Sequence, residues 1–207
     1  MEKKKKMKRT TFIFSFITLA SFIYKATLGF LTMSQVLLIA SVSTLMVFIC
    51  KILFVRNVLG KRDEKKKAYL FMSMSVFVYS LIFIAFVVLK VNGIDMSNQK
   101  TYEGWVGGLF IGFMLLMFIL SILGLKGSLE KTDIMVIGLK EMTFISALAD
   151  LVIIEEFVSR IIRKYATIDL VLLNYIDSYI ALGVGAVMLI VSIIMIIRFF
   201  RYQGSKK

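Results

Sequence analysis

The amino-acid sequence predicts an all-α integral membrane protein, a bundle of six transmembrane helices. Three observations predict this fold: six long apolar stretches, clusters of lysine and arginine between them, and the absence of helix-breaking proline. A helix needs about 20 residues at 1.5 Å each to cross about 30 Å of hydrocarbon. Strands of a membrane barrel would instead alternate apolar and polar residues, which stretches such as 81–89 do not. The six predicted helices lie at about 10–30, 35–55, 68–89, 104–125, 134–158 and 170–197.

Composition excludes several kinds of site. Hydrophobic residues make up 59% of the 207 residues, well above the roughly 45–50% of soluble domains. There is no histidine, which removes the usual proton shuttle at neutral pH and the commonest transition-metal ligand. The one cysteine, Cys50, lies in the second stretch and is predicted to be a small buried hydrophobic residue.

The first stretch follows a basic tail that resembles the start of a secretory signal peptide. Its apolar part is longer than the roughly 7–15 residues of a signal core, and no small-residue cleavage site follows it. We therefore expect a retained first helix. Lys25 and Lys51 lie near the ends of the first and second stretches, so their ammonium groups are expected to extend to the membrane interface.

The basic residues predict the orientation. On alternating spans, 20 of the 26 lysines and arginines fall on the side of both termini, and the positive-inside rule makes that side cytoplasmic. This gives a multi-pass cell-membrane protein with a cytoplasmic tail at 1–9, a transmembrane domain at 10–200 and a second cytoplasmic tail at 201–207. The basic segment 160–164 falls outside, so either the acidic residues of the fifth helix offset it or that helix does not cross fully. The net charge of +13 is explained in the same way, because the basic residues flank the spans and set their orientation. The expected partner is therefore the bilayer and not nucleic acid.

Small residues at four-residue spacing mark two helices, and such spacing lets helices approach closely in lipid. They are Gly104, Gly108 and Gly112 on the fourth helix and, more weakly, Ala181 and Gly185 on the sixth. Packing within the bundle is the favoured role, and a seam with a second copy or another membrane protein is the alternative. The hydroxyls of the second helix, Ser34, Ser41, Ser43 and Thr44, are expected to bond back to their own helix rather than line a path.

The fifth helix carries charges that do not suit lipid. Asp150 lies near its middle, and Glu156 and Arg160 have the i,i+4 spacing of an ion pair. We expect Asp150 inside the bundle, near the second helix and within reach of a hydroxyl or a cation. The candidate intramembrane polar site consists of Ser43, Ser146, Asp150, Glu155, Glu156 and Arg160. Two roles stay open for it: a polar network that fixes helix register, and a substrate- or proton-coupling site.

Catalytic signatures are missing from the sequence. Without histidine there is no Ser-His triad and no HExxH zinc helix, and neither a Gly-x-Ser-x-Gly elbow nor a phosphate-binding P-loop is present. Intramembrane aspartyl proteolysis needs two aspartates that share a proton. Asp169 and Asp177 lie near the outer end of the sixth helix, so Asp150 has no such partner. We expect neither an enzyme nor a cofactor.

Three stretches resemble the membrane domain of the cation diffusion facilitators, a family of six-helix metal/proton antiporters with cytoplasmic termini. They are Gly29-Phe-Leu-Thr-Met-Ser34, the basic segment 56–67 and Asp177 at the start of the sixth helix. The resemblance covers about residues 10–200 and implies a transporter scaffold. It also implies metal ligands at the positions of Ser43, Val47, Ser146 and Asp150. Only one of these is a carboxylate, and the family's cytoplasmic metal-binding domain has no counterpart, so no metal is expected.

Two functional classes follow. One is a small transporter, proton-coupled through Asp150 and Glu155 or Glu156, for a substrate that the sequence does not name. The other is a non-transporting membrane scaffold or regulatory subunit that acts through helix–helix contacts. A water-accessible cavity at the carboxylates favours the first class, and a dry, satisfied network on the fifth helix favours the second.

Overall fold

The protein is built of α-helices. A computed structural model describes residues 2–32, 34–92, 105–129, 133–165 and 170–204, apart from some side chains near helix ends. Within these ranges there is no strand, which confirms the all-α prediction. The helices are α1 (Glu2–Thr32), α2 (Gln35–Asn57), α3 (Arg62–Val91), α4 (Trp105–Leu129), α5 (Ile134–Tyr165) and α6 (Leu170–Gly204).

Four of the helices are long and apolar enough to cross a membrane. Their apolar spans in the described part of the chain are Lys5–Leu31, Gln35–Asn57, Arg62–Val91 and Tyr175–Tyr202. In α4 the described apolar stretch is shorter, Ile111–Gly127. α5 is as long as the others but differs in composition, because charged residues recur along it.

The turn between α1 and α2 explains part of the glycine–serine motif at 29–34. Ser34 adopts an extended backbone, and its hydroxyl oxygen accepts the Leu37 N–H at 3.4 Å, which caps α2. The Ser34 N–H donates to the Gly29 carbonyl at 2.9 Å. A Cβ added at Gly29 would lie 2.9 Å from Leu38 Cδ2, so the close return of the chain needs glycine here. The motif therefore has a structural use in this protein.

α5 is the central helix and packs against α2, α3, α4 and α6. α1 packs on α2, and α3 packs on α2 and α6 as well. In the described ranges α1 packs only on α2, and α4 packs only on α5. Because four helices surround α5, its charged side chains need not face lipid.

Close packing against α3 depends on two glycines. A Cβ at Gly138 of α5 would lie 2.7 Å from the Tyr69 ring, and one at Gly185 of α6 would lie 2.8 Å from Ile84 Cγ1. Gly185 therefore lies where α6 approaches α3 closely. Methionines fill much of the adjoining core, because their flexible thioether side chains suit irregular gaps. Among the buried ones are Met72, Met135, Met142, Met188 and Met195.

Candidate functional site

A buried ion pair joins α1 to α5. Lys25 Nζ lies 2.5 Å from Asp150 Oδ1 and donates a second hydrogen bond to Thr44 Oγ1 at 3.0 Å. Lys25 is 3% exposed and Asp150 is 9% exposed. Asp150 lies about 24 Å along α5 from its first residue, at 1.5 Å per residue. At such depth each charge alone would be costly, and the pairing offsets that cost.

The expectation that Lys25 reaches the membrane interface is wrong. α1 continues to Thr32, so Lys25 stands about two turns inside the helix. Its side chain crosses to α5 although the α1 and α5 backbones do not pack on each other in the described ranges. Asp150 itself lies where the sequence predicted, inside the bundle beside a hydroxyl of α2 and a cation.

Lysine–threonine contacts between α1 and α2 occur twice. Lys25 of α1 donates to Thr44 of α2, and Lys51 of α2 donates to Thr18 of α1 at 2.5 Å. On each helix the lysine and the threonine are seven residues apart, which places them on one face, two turns from each other. The two contacts are therefore equivalent positions of one antiparallel ladder, about 10 Å apart along the helices.

Serines join α2 to α5 next to this ion pair. Ser43 Oγ and Ser146 Oγ lie 3.2 Å apart, and Ser43 also donates to the Ala40 carbonyl at 2.7 Å. The cavity beside them leaves about 0 Å³ for a water molecule, so the interior is dry at this point. Its lining consists of Ser43, Met46, Val76, Tyr79, Met142, Ile145 and Ser146.

The hydroxyls of α2 largely bond within their own helix, as predicted. Ser41 donates to the Leu38 carbonyl at 2.6 Å, and Thr44 donates to the Ala40 carbonyl at 3.1 Å. Thr44 also accepts from Lys25. The Thr44 hydroxyl donates its hydrogen to the Ala40 carbonyl and accepts from the Lys25 ammonium with an oxygen lone pair, so it makes both contacts at once.

A second cluster lies near the start of α5. Glu141 accepts hydrogen bonds from Arg198 of α6 and from the Tyr69 hydroxyl of α3, the latter at 3.3 Å. Glu141 is buried. This arrangement ties α3, α5 and α6 together and gives the buried carboxylate a guanidinium partner, which is the favourable geometry for such a pair.

A third cluster joins α5 to α6 at the other end. Ser159 contacts Asp177 Oδ1 at 2.5 Å and Glu155 Oε1 at 3.2 Å. Asp177 is buried and lies seven residues inside α6, which begins at Leu170. The expectation that Asp177 opens the sixth helix is therefore wrong, because the helix begins two turns earlier.

Glu156 meets a partner that the sequence analysis did not name. Its Oε1 lies 3.8 Å from Lys90 Nζ at the end of α3. The side chain of Arg160 lies outside the described part of the structure, so its predicted pairing with Glu156 stays a prediction.

The three clusters lie on two opposite sides of α5. Successive residues turn by about 100°, so Ser146 and Asp150 point to one side and Glu141 and Ser159 to roughly the opposite side. Their partners agree with this: the first two contact α1 and α2, and the other two contact α3 and α6. The structure thus brings Ser43 together with Ser146, and Asp150 with Lys25, but separates these from Glu155 and Glu156.

The glycines of α4 do not pack inside the bundle. Gly108 and Gly112 are exposed, and a Cβ at either would meet nothing within 4 Å. The predicted packing role is wrong for both, because α4 contacts only α5 in the described ranges and these glycines lie on its other side. Gly104 falls outside the described residues.

The described residues contain no group of three or more potential metal ligands. Of the positions in register with the metal ligands of cation diffusion facilitators, Ser43 and Ser146 contact each other and Asp150 binds Lys25. The ammonium group supplies the positive charge next to this carboxylate. Comparison with known protein families, with curated proteins and with solved structures found no match to this chain.

Sequence reasoning missed Lys25 as a member of the site. A signal was present, because Thr18 and Lys25 repeat at the same spacing as Thr44 and Lys51. Two antiparallel helices with this spacing bring each lysine to a threonine on the partner helix. The contact between Glu141 and Arg198 could be found only once α6 was placed beside α5.

Proposed function

We propose that the chain is a small cell-membrane transporter of six spanning helices, with both termini in the cytoplasm. The observation that carries the proposal is the buried Lys25–Asp150 pair, since ionisable residues at membrane depth mark substrate or proton pathways. Protonation of Asp150 would remove one partner of the pair, and this provides a means of coupling proton binding to helix movement. The resemblance to cation diffusion facilitators supports the scaffold, whereas the absence of their ligand set argues against metal as the substrate.

The proposal of six spans needs α4 and α5 to cross together with the four apolar helices. The composition of α5 is explained by its surroundings, because four helices cover it and its carboxylates meet Lys25, Arg198 and Lys90. α4 carries its apolar side chains outward, as a lipid-facing helix does; among them are Phe113, Leu116, Ile119, Leu120 and Leu123.

In the conformation described here the α2–α5 contact has no room for water and Asp150 is paired with Lys25, which by itself favours the scaffold class. Transport therefore requires a second conformation in which the interior opens, and this can be tested without knowing the substrate. Ser43→Cys and Ser146→Cys, each in a Cys50→Ser background, are treated with a membrane-impermeant thiol reagent. Intact cells and inside-out vesicles are compared. We expect labelling of at least one of these cysteines, because opening would bring water to the α2–α5 contact.

A matched control is Ser80→Cys on α3, since Ser80 is fully buried and bonds only to the Val76 carbonyl of its own helix among its described contacts. It should stay unlabelled from both sides. If Ser43→Cys and Ser146→Cys are no more reactive than this control, the interior does not open and the transporter proposal fails.

The exposed glycines of α4 favour a second candidate, a membrane scaffold or regulatory subunit. Gly108 and Gly112 leave a small-residue surface on which another helix packs closely. Gly112→Cys in the Cys50→Ser background, oxidised in native membranes, tests this role. Disulfide-linked dimers identify a second copy as the occupant, and a mixed disulfide of another mass identifies a different protein. Gly183→Cys on α6 is the control for random collision of exposed cysteines. If Gly112→Cys forms no more disulfide than this control, the candidate is contradicted.

A further inference from the structure

The start of α3 and the end of α6 meet at one tyrosine. Arg62 Cζ lies 4.8 Å from the centre of the Tyr202 ring, and Lys66 Nζ lies 5.9 Å from the same point. Both distances are within the roughly 6 Å of a cation–π contact. Arg62 and Lys66 are four residues apart on α3, so they project from one face of the helix. Two cations are thus held at one aromatic ring.

This contact lies where two apolar spans end. The span in α3 begins at Arg62, and the span in α6 ends at Tyr202. Tyrosine is enriched at the boundary between hydrocarbon and headgroups, because its ring is apolar and its hydroxyl is polar. In the six-span arrangement proposed above, the two cations therefore lie at the level of the phospholipid phosphates, on the side of both termini.

The stability of the helices does not account for both cations. Positive charge near the start of a helix opposes the helix macrodipole. Arg62 has a structural use, because it donates to the Tyr202 carbonyl at 3.1 Å, in the last turn of α6, where cations are favourable. Lys66 has no such use. In the described part of the chain its ammonium group forms no hydrogen bond or ion pair besides the ring contact.

Both cations retain donors for a ligand. A guanidinium group has five N–H donors and an ammonium group has three. The Tyr202 carbonyl uses one donor of Arg62. Neither Arg62 nor Lys66 forms an ion pair with a carboxylate of the described residues. Several charged donors are therefore directed towards the membrane boundary with no anion of the protein to accept them.

The surrounding charge is positive as well. The basic segment 56–67 holds six lysines and arginines against two carboxylates, Asp63 and Glu64. Glu64 accepts the Lys61 N–H at 3.2 Å, as a cap of α3. Arg201 adds a further exposed cation in the last turn of α6. An anion at this end of the α3–α6 pair would therefore meet an excess of positive charge.

We propose that Arg62 and Lys66, held at Tyr202, bind the phosphate of an anionic phospholipid where α3 meets α6. A phosphate offers oxygens to both cations, and the planar guanidinium can donate to two of them at once. Anionic phospholipids give the cytoplasmic leaflet its negative potential, which agrees with the proposed orientation. Exposed apolar side chains on the same two helices can contact the acyl chains; among them are Phe71, Met74, Ile197 and Phe200.

Native mass spectrometry of the full-length chain, released from a neutral detergent, tests the site. It counts the phospholipid molecules bound to each protein and gives the affinity of the first one. The probes are phosphatidylglycerol and phosphatidylcholine with identical acyl chains, and inorganic phosphate. We expect the first phosphatidylglycerol to bind at least about fivefold more tightly than phosphatidylcholine, because only its headgroup has a net negative charge for the two cations.

Single substitutions locate the lipid. Arg62→Gln and Lys66→Gln should each weaken the affinity for the first phosphatidylglycerol by about fivefold, the effect of one basic residue at an anionic surface. Lys66→Arg should keep the affinity, because it keeps the charge. Lys66→Gln breaks no described hydrogen bond, so its effect is not one of misfolding.

Lys67→Gln is the matched control. Lys67 is exposed and follows Lys66 directly, so the substitution removes the same charge at the same level of α3. Its side chain is turned by about 100° from that of Lys66, and it has no described contact with Tyr202. The affinity for phosphatidylglycerol should therefore be unchanged.

The proposal is overturned if phosphatidylglycerol binds no more tightly than phosphatidylcholine. It is also overturned if Lys67→Gln weakens binding as much as Lys66→Gln, which would indicate diffuse surface charge instead of a site. Binding of inorganic phosphate without a preference for phosphatidylglycerol would assign a free anion and reject the lipid headgroup. Lipid binding needs no opening of the interior, so a negative result in the labelling experiment would leave this site standing.

Discussion

At the scale of single residues, the free energy of the Lys25–Asp150 contact has two large terms of opposite sign. Removing an ammonium and a carboxylate from water is unfavourable, and their attraction at 2.5 Å together with the bond to Thr44 offsets this. Because the terms nearly cancel, the pair contributes little net stability compared with two apolar residues. Removing one partner alone leaves the other charge buried, and that is strongly unfavourable.

Asp150→Asn should therefore destabilise the protein by about 3–5 kcal/mol. Asparagine keeps the shape and can still accept a hydrogen bond, but it leaves Lys25 without its counter-ion. Thermal unfolding of the purified protein in detergent measures the effect. The double variant Lys25→Met/Asp150→Leu should recover most of the loss, since it buries no charge. Lys25→Met and Asp150→Leu are therefore also measured singly. If their two losses simply add in the double variant, the two side chains do not interact.

A related prediction concerns metal. Zinc or manganese at micromolar concentration should not bind specifically, because the one carboxylate in register with the metal ligands of cation diffusion facilitators is held by Lys25. Calorimetry on the purified chain measures this directly. Binding that Asp150→Asn abolishes would show that the ion pair opens to accept a cation.

The sequence predicted the place of Asp150 but not its partner, and the reason is physical. A carboxylate in the middle of an apolar helix stands out wherever the helix lies. A lysine near the end of an apolar stretch can place its ammonium group at the membrane interface or pair it inside the bundle. Which of the two occurs depends on where α5 lies relative to α1.

At the scale of helices, α3 and α6 approach closely where Gly185 faces Phe83 and Ile84. Helices in lipid gain little from hydrophobic burial, so the contact depends on shape and dispersion. The helices themselves were predictable from the length of the apolar stretches, and their ends follow from caps such as Ser34. The outward direction of Gly108 and Gly112 was not, because α4 is apolar on every side and its sequence carries no signal for the face that packs.

Gly185→Ala should destabilise the protein by about 1–3 kcal/mol, because the new methyl group overlaps Ile84 Cγ1. Gly183→Ala on the same helix is the matched control. A Cβ there meets nothing within 4 Å, and alanine favours a helix over glycine by about 1 kcal/mol in soluble hosts. Unfolding in detergent compares the two. Equal effects would mean that α6 does not pack on α3 through Gly185.

At the scale of the whole molecule, α5 links the other helices through three polar clusters that point in two directions. The pair at Asp150 faces α1 and α2, and the clusters at Glu141 and Ser159 face α3 and α6. A rotation or tilt of α5 would alter all three together. The sequence predicted that Asp150 lies near α2, but the partners Lys25, Arg198 and Asp177 could not be predicted, since each depends on which helices surround α5.

Orientation is the property of the whole molecule that is simplest to measure. Lys61→Cys and Asn92→Cys, in the Cys50→Ser background, place single thiols at exposed positions at opposite ends of α3. We expect an impermeant reagent to label Asn92→Cys on intact cells and Lys61→Cys only after permeabilisation, because the positive-inside rule puts the basic segment in the cytoplasm. The reverse pattern would place both termini outside.

The two partners of the ion pair are synthesised at different times. Lys25 and Asp150 are separated by 125 positions, and at roughly 5–20 residues per second the ribosome needs about 6–25 s to travel between them. During that interval Thr44, which follows Lys25 by 19 residues, is the partner within reach. The α1–α2 hairpin thus holds the Lys25 ammonium group by its bond to Thr44 before Asp150 has been synthesised. Nascent chains arrested before α5 should consequently be better targets for membrane quality-control proteases than chains arrested after it.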